Sequence, residues 1–344
     1  MTDFDIQIVH SVTETDQTDW DRLGNGQPFT SYRWYRFGET VMNDCIPVYI
    51  ILSQDGQMLA RATFWVIRNE PLPIPWVPLR YAIQTVLQHW PLFACRSPLA
   101  NASGLILPEM HLRQSAMETL INVAKEEARR YKTSFLLFDY MEAEQTNSGK
   151  WPKGFLPVAI QDPGTVMEIT WSDFDEYLAS LKPKVRKHYR QYNREAEKLS
   201  VKILCQDHVT DIEPALALVR KVEQRHRSSP NPWAQSLLEN AKSSGAIWVT
   251  AKQNDRLVGC ELILDDNGTQ MVASLGMAAD FPHIYFLLGY ADIRHAIEKG
   301  YRFLRWGSGA FEAKQRLGFE LENNNYIVLH GTSPVFQTIT RLMS

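Results

Sequence analysis

The residue types best suited to chemistry lie near the C-terminal end of the chain, in the loop Gly307-Ser308-Gly309 and the basic residues after it. Glycine adopts positive φ at no steric cost, so two glycines here predict a tight loop that a ligand or another backbone can approach. Lys314 and Arg316 follow, either as surface residues of a turn or as donors to a substrate. The loop lacks the second half of a nucleophile elbow and has no evident Asp/His partners, which excludes a serine hydrolase.

A second group of candidate binding residues lies on a basic helix predicted from Pro183 to about Leu199. Arg186 and Arg190 are four residues apart, as are Arg190 and Arg194, so their guanidinium groups form a row beside Lys187. A charged face of this kind is usually only solvated. Like charges at this spacing repel each other, however, which favours contact with phosphates or another polyanion. Both interpretations stay open.

Glu261 is an acidic residue within an apolar strand predicted from Arg256 to Leu264. The simpler interpretation is a residue on the outward face of an antiparallel strand. If the carboxylate instead faces a cleft, it is a candidate general base for an incoming amine.

Composition limits the class of protein. A chain of 344 residues has room for two domains, and 44% hydrophobic with 22% charged residues is typical of a globular protein with a core. A net charge of −3 argues against attraction of the whole surface to nucleic acid or anionic lipid, so such a partner would need a local patch. The four cysteines are far apart and predict neither a metal site nor disulfides. No apolar run approaches the ~18 residues of a membrane span and no secretory signal is evident, so we expect a cytoplasmic location.

The pattern of elements predicts a repeated α/β organisation. In the first half, Asp55-Gly56 between two apolar runs predicts a hairpin, the proline-rich stretch 71–98 predicts irregular chain, and Pro108 to Tyr131 predicts an amphipathic helix. A polar stretch at 141–164 predicts a boundary, which gives domains at 1–160 and 161–344. The second half reads as strand, helix, helix, three antiparallel strands, helix and strand, with a further strand from Tyr326 to Leu329. The first half follows a degraded form of the same order.

The segment Tyr301 to Phe319, after the predicted helix Ile284–Lys299 that Gly300 ends, resembles the close of the acyltransferase domain in the FemAB-like and BioF2-like branch of the GNAT superfamily. The run F-E-A-K-Q-R-L-G-F is similar to that family's Y-x-F-K-x-x-F-G ending. It departs from the pattern at Ala313, which replaces an aromatic residue. The start of the basic helix also looks like the family's S-L-x-x-K-x-R-K segment.

The resemblance implies two tandem GNAT-like domains with a mixed α+β sheet in each. It also implies an enzyme that moves an acyl or aminoacyl group from an activated donor to a small-molecule or peptide amine by direct attack. Lys314 is then placed to stabilise the oxyanion. The reacting centre is expected around Leu275, Gly307 and Lys314, with Ser308, Gly309 and Arg316 binding substrate.

The donor is the least determined part of this prediction. CoA-dependent members of the superfamily hold pyrophosphate in a glycine-containing loop before the third helix, whereas Ala278–His283 stands at the equivalent place without any glycine. We therefore expect no tightly bound cofactor and a donor such as aminoacyl-tRNA or an acyl carrier protein. The alternatives are an acetyl-CoA-dependent acetyltransferase with a divergent phosphate site and a non-catalytic double-GNAT binding module.

Overall fold

The structure is a computed structural model that describes residues 4–72, 74–148, 151–281 and 283–342. It divides into two compact units. The first comprises Met1–Gln161 together with Asn323–Ser344, and the second comprises Asp162–Glu322.

The first part of the chain supplies most of the first unit. Its helices and strands are, in chain order, β1 (Asp5–Val9), α1 (Gln17–Gly24), α2 (Tyr32–Val41), β2 (Ile46–Gln54), β3 (Gln57–Ile67), α3 (Val77–His89), β4 (Leu92–Cys95), β5 (Leu105–Ile106), α4 (Met110–Arg130), β6 (Phe135–Met141), α5 (Ala143–Ser148) and β7 (Leu156–Ala159). The predicted hairpin is confirmed in β2 and β3. Asp55 and Gly56 both take positive φ (51° and 76°), the conformation that a tight two-residue hairpin turn requires.

The second unit contains, in chain order, β8 (Thr165–Glu168), α6 (Phe174–Ser180), α7 (Pro183–Lys198), β9 (Val201–Gln206), α8 (Ile212–His226), α9 (Ala234–Asn240), β10 (Ile247–Gln253), β11 (Arg256–Asp266), β12 (Thr269–Met277), α10 (Ile284–Glu298), β13 (Phe303–Trp306), α11 (Phe311–Arg316) and β14 (Glu320–Leu321). The chain then returns to the first unit with β15 (Tyr326–Gly331) and α12 (Pro334–Leu342).

Each unit is built on one mixed sheet. The first has the strand order β1-β2-β3-β4-β6-β15-β7, with β5 paired to β3, and the second has the order β14-β8-β13-β12-β11-β10-β9. Each contains one parallel pair, β4 with β6 and β12 with β13, and all their other described pairs are antiparallel. A long helix crosses between the two strands of each parallel pair, α4 in the first unit and α10 in the second. The predicted repeat of element order is therefore present in the sheets.

Helices cover both faces of the second sheet. A Cβ at Gly259 on β11 would overlap Ile284 of α10, so the backbones of strand and helix approach closely on that face. Side chains alternate along a strand, so the residue after Gly259 points to the opposite face of the sheet. There a Cβ at Gly276 on β12 would lie 2.8 Å from Leu218 Cβ of α8.

Two expectations are corrected by the structure. The proline-rich stretch contains regular elements, since Val77–His89 is helical and Leu92–Cys95 pairs with both β3 and β6. The C-terminal strand was placed in the second domain, but Tyr326–Gly331 pairs with β6 and β7 of the first sheet. The helices in the described ranges are each too short or too polar to cross a lipid bilayer.

Candidate functional site

The candidate site begins where β12 and β13 part. Parallel pairing joins Thr269 to Phe303 and ends at Met271 with Arg305, while β12 continues to Met277. In the described part of the chain no strand pairs with this edge of β12 beyond Met271. The two strands therefore open into a notch whose wall carries unpaired backbone groups.

A β-bulge lies in the notch. Leu262 of β11 faces Ser274, but the next residue, Ile263, faces Val272, so Ala273 is an extra residue on β12. A bulge bends its strand and increases the local twist, which turns β12 away from a straight neighbour. Leu275, one of the predicted substrate-binding residues, lies just beyond the bulge and is partly exposed.

The predicted glycine loop forms the other side of the notch, directly after β13. Gly307 and Ser308 are exposed, and a Cβ at Gly307 would meet no atom within 4 Å. Gly309 and Ala310 take left-handed conformations in succession, at φ of 80° and 51°. Alanine there carries the steric penalty that glycine avoids, so the loop holds a strained shape just before α11.

Lys314 reaches back from α11 to this loop. Its side chain is buried, with 4% of the residue exposed, and Nζ donates to the carbonyl oxygens of Gly307 and Ser308. An ammonium group has three N–H donors, so one remains for another acceptor beside the loop. Lys314 thus both shapes the loop and brings a positive charge to the notch.

Burial also changes the acidity of this lysine. It lowers the pKa of Lys314 from 10.5 to about 8, against the opposing attraction of the carboxylates of Asp162 and Glu322. The ammonium form still predominates at neutral pH. Removal from water strengthens its effect on any nearby charge, because the effective dielectric constant is lower there.

A series of buried side-chain hydrogen bonds fixes the start of the loop. Trp306, the residue before Gly307, donates from Nε1 to Asp292 Oδ2 of α10 at 2.5 Å. Gln270 of β12 donates to the other carboxylate oxygen of Asp292, and its Oε1 lies 2.8 Å from His295 Nδ1. Burial raises the pKa of Asp292 to about 7, while the hydrogen bonds from Trp306 and Gln270 favour its charged form. These hydrogen bonds fix the position of Trp306, and they therefore set the direction in which the loop leaves β13.

The candidate general base, Glu261, lies on β11, the strand beside β12. Glu261 is 2% exposed and lies opposite Leu275 and Val249 in the register of β11. It shares the face of the sheet that packs on α10, and burial together with Asp292 raises its pKa well above the usual value. The expected outward position is therefore wrong. A raised pKa makes a carboxylate a stronger base, so Glu261 stays a candidate general base on the covered side of the sheet.

The basic helix is present as α7, but its charged residues do not act as one row. Arg186 donates to the carbonyl oxygens of Ala179 and Leu181, at 2.8 and 2.7 Å, and so completes the end of α6. Lys187, Arg190 and Arg194 are exposed, with Arg194 Nε directed to its own helix at Arg190 O. The row is thus divided into one structural arginine and an exposed basic face.

Arg316 comes close to the same helix. Burial raises the pKa of Tyr192 on α7, and the Arg316 guanidinium opposes that rise. The Tyr192 ring stacks on His283 at the start of α10, with centroids 4.0 Å apart, and His283 Nε2 lies 3.2 Å from Glu195. Of the predicted binding residues, the structure therefore connects Lys314 with Gly307 and Ser308, and Arg316 with α7.

Sequence reasoning missed the roles of Asp292 and Gln270. A signal was present, because Asp292 and His295 continue the inward stripe that Ile284 and Leu288 begin on α10. A carboxylate on the buried stripe of a helix requires a partner inside the protein. The pattern alone does not say which residues supply it.

Comparison with known proteins identifies the family. The sequence matches the FemAB-like family, described as acting in peptidoglycan biosynthesis/recognition, over residues 11–339. No match is found among curated protein sequences.

Similar folds occur in several solved structures. FemX superimposes with a TM-score of 0.63 at 12% identity, over 97% of this chain and 100% of that one. A tandem GNAT protein from the clavulanic acid biosynthesis pathway gives 0.58 at 12%, over 96% and 99%. The C-terminal domain of a putative lysylphosphatidylglycerol synthetase from Agrobacterium fabrum gives 0.54 at 11%, over 96% of each chain. The chain belongs to the FemAB-like family, and its fold is that of two GNAT-like domains in tandem.

Proposed function

We propose that the protein transfers an aminoacyl group from aminoacyl-tRNA, or an acyl group from an acyl carrier protein, to a primary amine. The family description concerns peptidoglycan, which favours an amine of a cell-wall precursor peptide as the acceptor. The observation that carries the proposal is the buried Lys314 ammonium, held by the Gly307 and Ser308 carbonyls beside an open strand edge.

The chemistry follows from the one N–H of Lys314 that the loop leaves available. The amine attacks the carbonyl carbon of the donor and the carbonyl oxygen becomes negatively charged. The remaining N–H of Lys314 stabilises that oxyanion, a charge that exists only in the tetrahedral intermediate and the transition states around it. The C–O or C–S bond to the carrier then breaks, and the proton that the amine loses passes to the oxygen or sulfur of the departing carrier. No covalent enzyme intermediate is needed.

Backbone groups of the notch support the same step. The unpaired edge of β12 between Val272 and Met277 offers N–H and C=O groups that can hold an extended donor or acceptor in place. Placement of two reactants in one geometry removes much of the entropic barrier to their reaction. Leu275 on this edge supplies an apolar contact.

A polyanionic carrier is favoured over CoA by the start of α10. The stacked rings of His283 and Tyr192 lie at its N-terminus, and Asp280, which is paired with Arg256 at 3.5 Å, lies close by. An acidic residue near a helix N-terminus competes with a phosphate for the same site. The exposed cations Lys187, Arg190 and Arg194 instead offer a long basic face.

The test is a thermal-shift comparison with charged tRNA, uncharged tRNA, acetyl-CoA and CoA. Stabilisation by charged tRNA beyond that by uncharged tRNA supports the proposal, because ligands that bind the folded state raise the melting temperature. Stabilisation by CoA and acetyl-CoA alone would favour the acetyltransferase. If none of the four ligands stabilises the protein, an acyl carrier protein loaded with an acyl group is tested next. Failure with that donor as well would leave the non-catalytic binding module.

A further inference from the structure

A cavity of about 280 Å³ lies within the second unit, between α7, α10 and β9. Among the described residues, its lining includes neither Lys314 nor the loop that Lys314 holds. If each non-hydrogen atom takes about 30 Å³, the share of one water molecule in the liquid, the cavity holds on the order of ten atoms. Its occupant is therefore a small molecule, far smaller than CoA.

The inner wall of the cavity is apolar and largely aromatic. Phe174, Leu287 and Tyr290 are buried in this wall. Tyr189 of α7 packs edge-on against Tyr290, with ring centroids 4.7 Å apart, and the ring of Phe174 lies 6.4 Å from that of Tyr290. The rings thus hold one another in place, as in ligand pockets whose apolar walls are formed before the ligand binds. The occupant presents an apolar group to this wall.

Two opposite charges stand at the mouth of the cavity. Arg294 and Glu298 line it one turn apart on α10, and both are exposed. The Cζ atom of Arg294 lies 4.0 Å from the centre of the Phe174 ring, and Nη2 donates to the Tyr189 hydroxyl at 3.3 Å. Between described residues, no ion pair involves Arg294 or Glu298. Both charges are therefore available to a ligand.

The pair of charges selects the class of ligand. Arg294 attracts an anion that Glu298 repels, and a cation experiences the reverse. A neutral apolar ligand would remove both charges partly from water and replace none of their hydration. A zwitterion compensates both, and arginine binds a carboxylate through two parallel hydrogen bonds. A free α-amino acid has this arrangement, with ammonium and carboxylate on one carbon and a side chain that is free to contact the wall.

One lining residue joins the cavity to the start of the catalytic loop. His295 lines the cavity, and its Nδ1 lies 2.8 Å from Gln270 Oε1. Gln270 donates to Asp292, and Trp306 donates to the same carboxylate. Three consecutive hydrogen bonds therefore connect the cavity to the residue before Gly307.

We propose that the cavity binds a free α-amino acid with an apolar side chain, and that the bound amino acid is an effector of the loop Gly307-Ser308-Gly309. Its carboxylate pairs with Arg294, its ammonium group pairs with Glu298, and its side chain packs on the aromatic wall. Contact with His295 biases the hydrogen bonds that position Trp306, and so the direction in which the loop leaves β13. Binding and loop position are properties of the second unit that hold whether or not the protein transfers an acyl group.

The experiment is isothermal titration of the purified protein with L-leucine and with L-phenylalanine. Each is compared with the amine that lacks its carboxylate and with the acid that lacks its amino group. We expect a dissociation constant below about 1 mM for at least one amino acid. Its two singly charged analogues should bind at least about tenfold more weakly, because each leaves one charge of the rim without a partner.

Four variants locate the site. Arg294→Gln and Glu298→Gln should each weaken binding at least about tenfold. Arg302→Gln is the matched control, since Arg302 is also an exposed arginine over a phenylalanine ring, at 4.8 Å from Phe303, but does not line the cavity. Ala291→Leu places a larger side chain in the cavity and should abolish binding, with the melting temperature as the check that it folds.

Nuclear magnetic resonance of ¹⁵N-labelled protein reads the effect on the loop. The indole N–H resonance of Trp306, assigned with Trp306→Phe, should move when the amino acid is added. That of Trp76, which is 64% exposed in the first unit, is the internal reference and should stay in place. Lys314→Met should bind the amino acid as the unchanged protein does, because the lysine does not line the cavity.

The site is overturned if neither amino acid binds, or if the Arg294 and Glu298 variants bind as tightly as Arg302→Gln. It is also overturned if folded Ala291→Leu retains binding, or if Lys314→Met loses it, because the ligand would then lie elsewhere. Binding that leaves the Trp306 resonance in place would overturn the effector role. Absence of transfer activity with amino-acid binding intact would count against the proposed function alone.

Discussion

Replacement of Lys314 by methionine separates catalysis from structure. Methionine has nearly the length of lysine and fills the same buried space without charge or donors. In the protein Lys314 is 4% exposed and donates to two backbone carbonyls. The variant therefore removes the positive charge of the notch and keeps the packing around it.

The variant should change the stability of the fold much less than it changes the rate of transfer. Burial lowers the pKa of Lys314 from 10.5 to about 8, which corresponds to roughly 3 kcal/mol against the charged form. Methionine removes that cost but also the two hydrogen bonds, worth about 1.5–3 kcal/mol each when the donor is charged. Because Gly307 and Ser308 are exposed, water can replace part of the loss. Stability should thus change by no more than about 2 kcal/mol, whereas loss of an oxyanion donor lowers kcat about 10²–10³-fold.

The assay is single-turnover transfer from the donor that the thermal-shift comparison identifies, with urea unfolding of the same samples. Lys299→Met is the control, because Lys299 is exposed at the end of α10. In the unchanged protein the rate should fall as pH rises through about 8, where Lys314 loses its proton. Stability from this group should instead rise between about 8 and 10.5, since the unfolded chain then binds more protons than the folded one.

One result would refute this reasoning. If Lys314→Met transfers at the rate of Lys299→Met while the urea midpoint falls, the lysine only holds the loop. The positive charge at the notch would then have no part in the reaction.

Three further predictions concern the surroundings of the loop. Asp292→Asn should reduce the loss of stability that occurs as the pH rises from about 4 to 7. A carboxyl whose pKa is raised by folding stabilises the fold only while it holds its proton. Urea midpoints measured across this pH range test the prediction. Gly289→Ala should cost about 1–3 kcal/mol and slow transfer, because its Cβ would overlap the Trp306 ring, and an unchanged melting temperature would contradict this. Arg190→Ala should reduce the salt dependence of donor binding by about one unit of slope and leave kcat unchanged, whereas Arg186→Ala should lower stability instead. If Arg190→Ala and Arg186→Ala show the same salt dependence of donor binding, α7 is not part of the donor-binding surface.

Local pattern predicted most elements of the fold. The Asp55-Gly56 turn, the helix α4 and the order from β9 to β13 follow from turn chemistry and periodicity, which are properties of neighbouring residues. The helix α3 was missed because Pro71, Pro75 and Pro78 suggest irregular chain, yet proline in the first turn of a helix is compatible with it. The outward apolar stripe of α3 also gives no sign of a core helix.

The candidate site was predictable only where its residues are close in sequence. Gly307, Ser308 and Lys314 lie within eight residues, and the structure joins them directly. Glu261 and Asp292 are 31 positions apart, and their shared burial depends on how α10 packs across β11. Periodicity assigns Glu261 to a strand, but not to the covered side of the sheet.

Strands are exchanged across the boundary predicted between residues 1–160 and 161–344. The strand β8 follows the first half of the chain and pairs with β13 in the second sheet. The strand β15 comes from the end of the chain and pairs with β6 in the first sheet. Each lies next to one strand of the parallel pair, so a cut at position 160 leaves the edge of β6 unpaired and open to other chains. A boundary in the sequence therefore differs from a boundary in the fold, because hydrogen bonds between strands do not follow chain order.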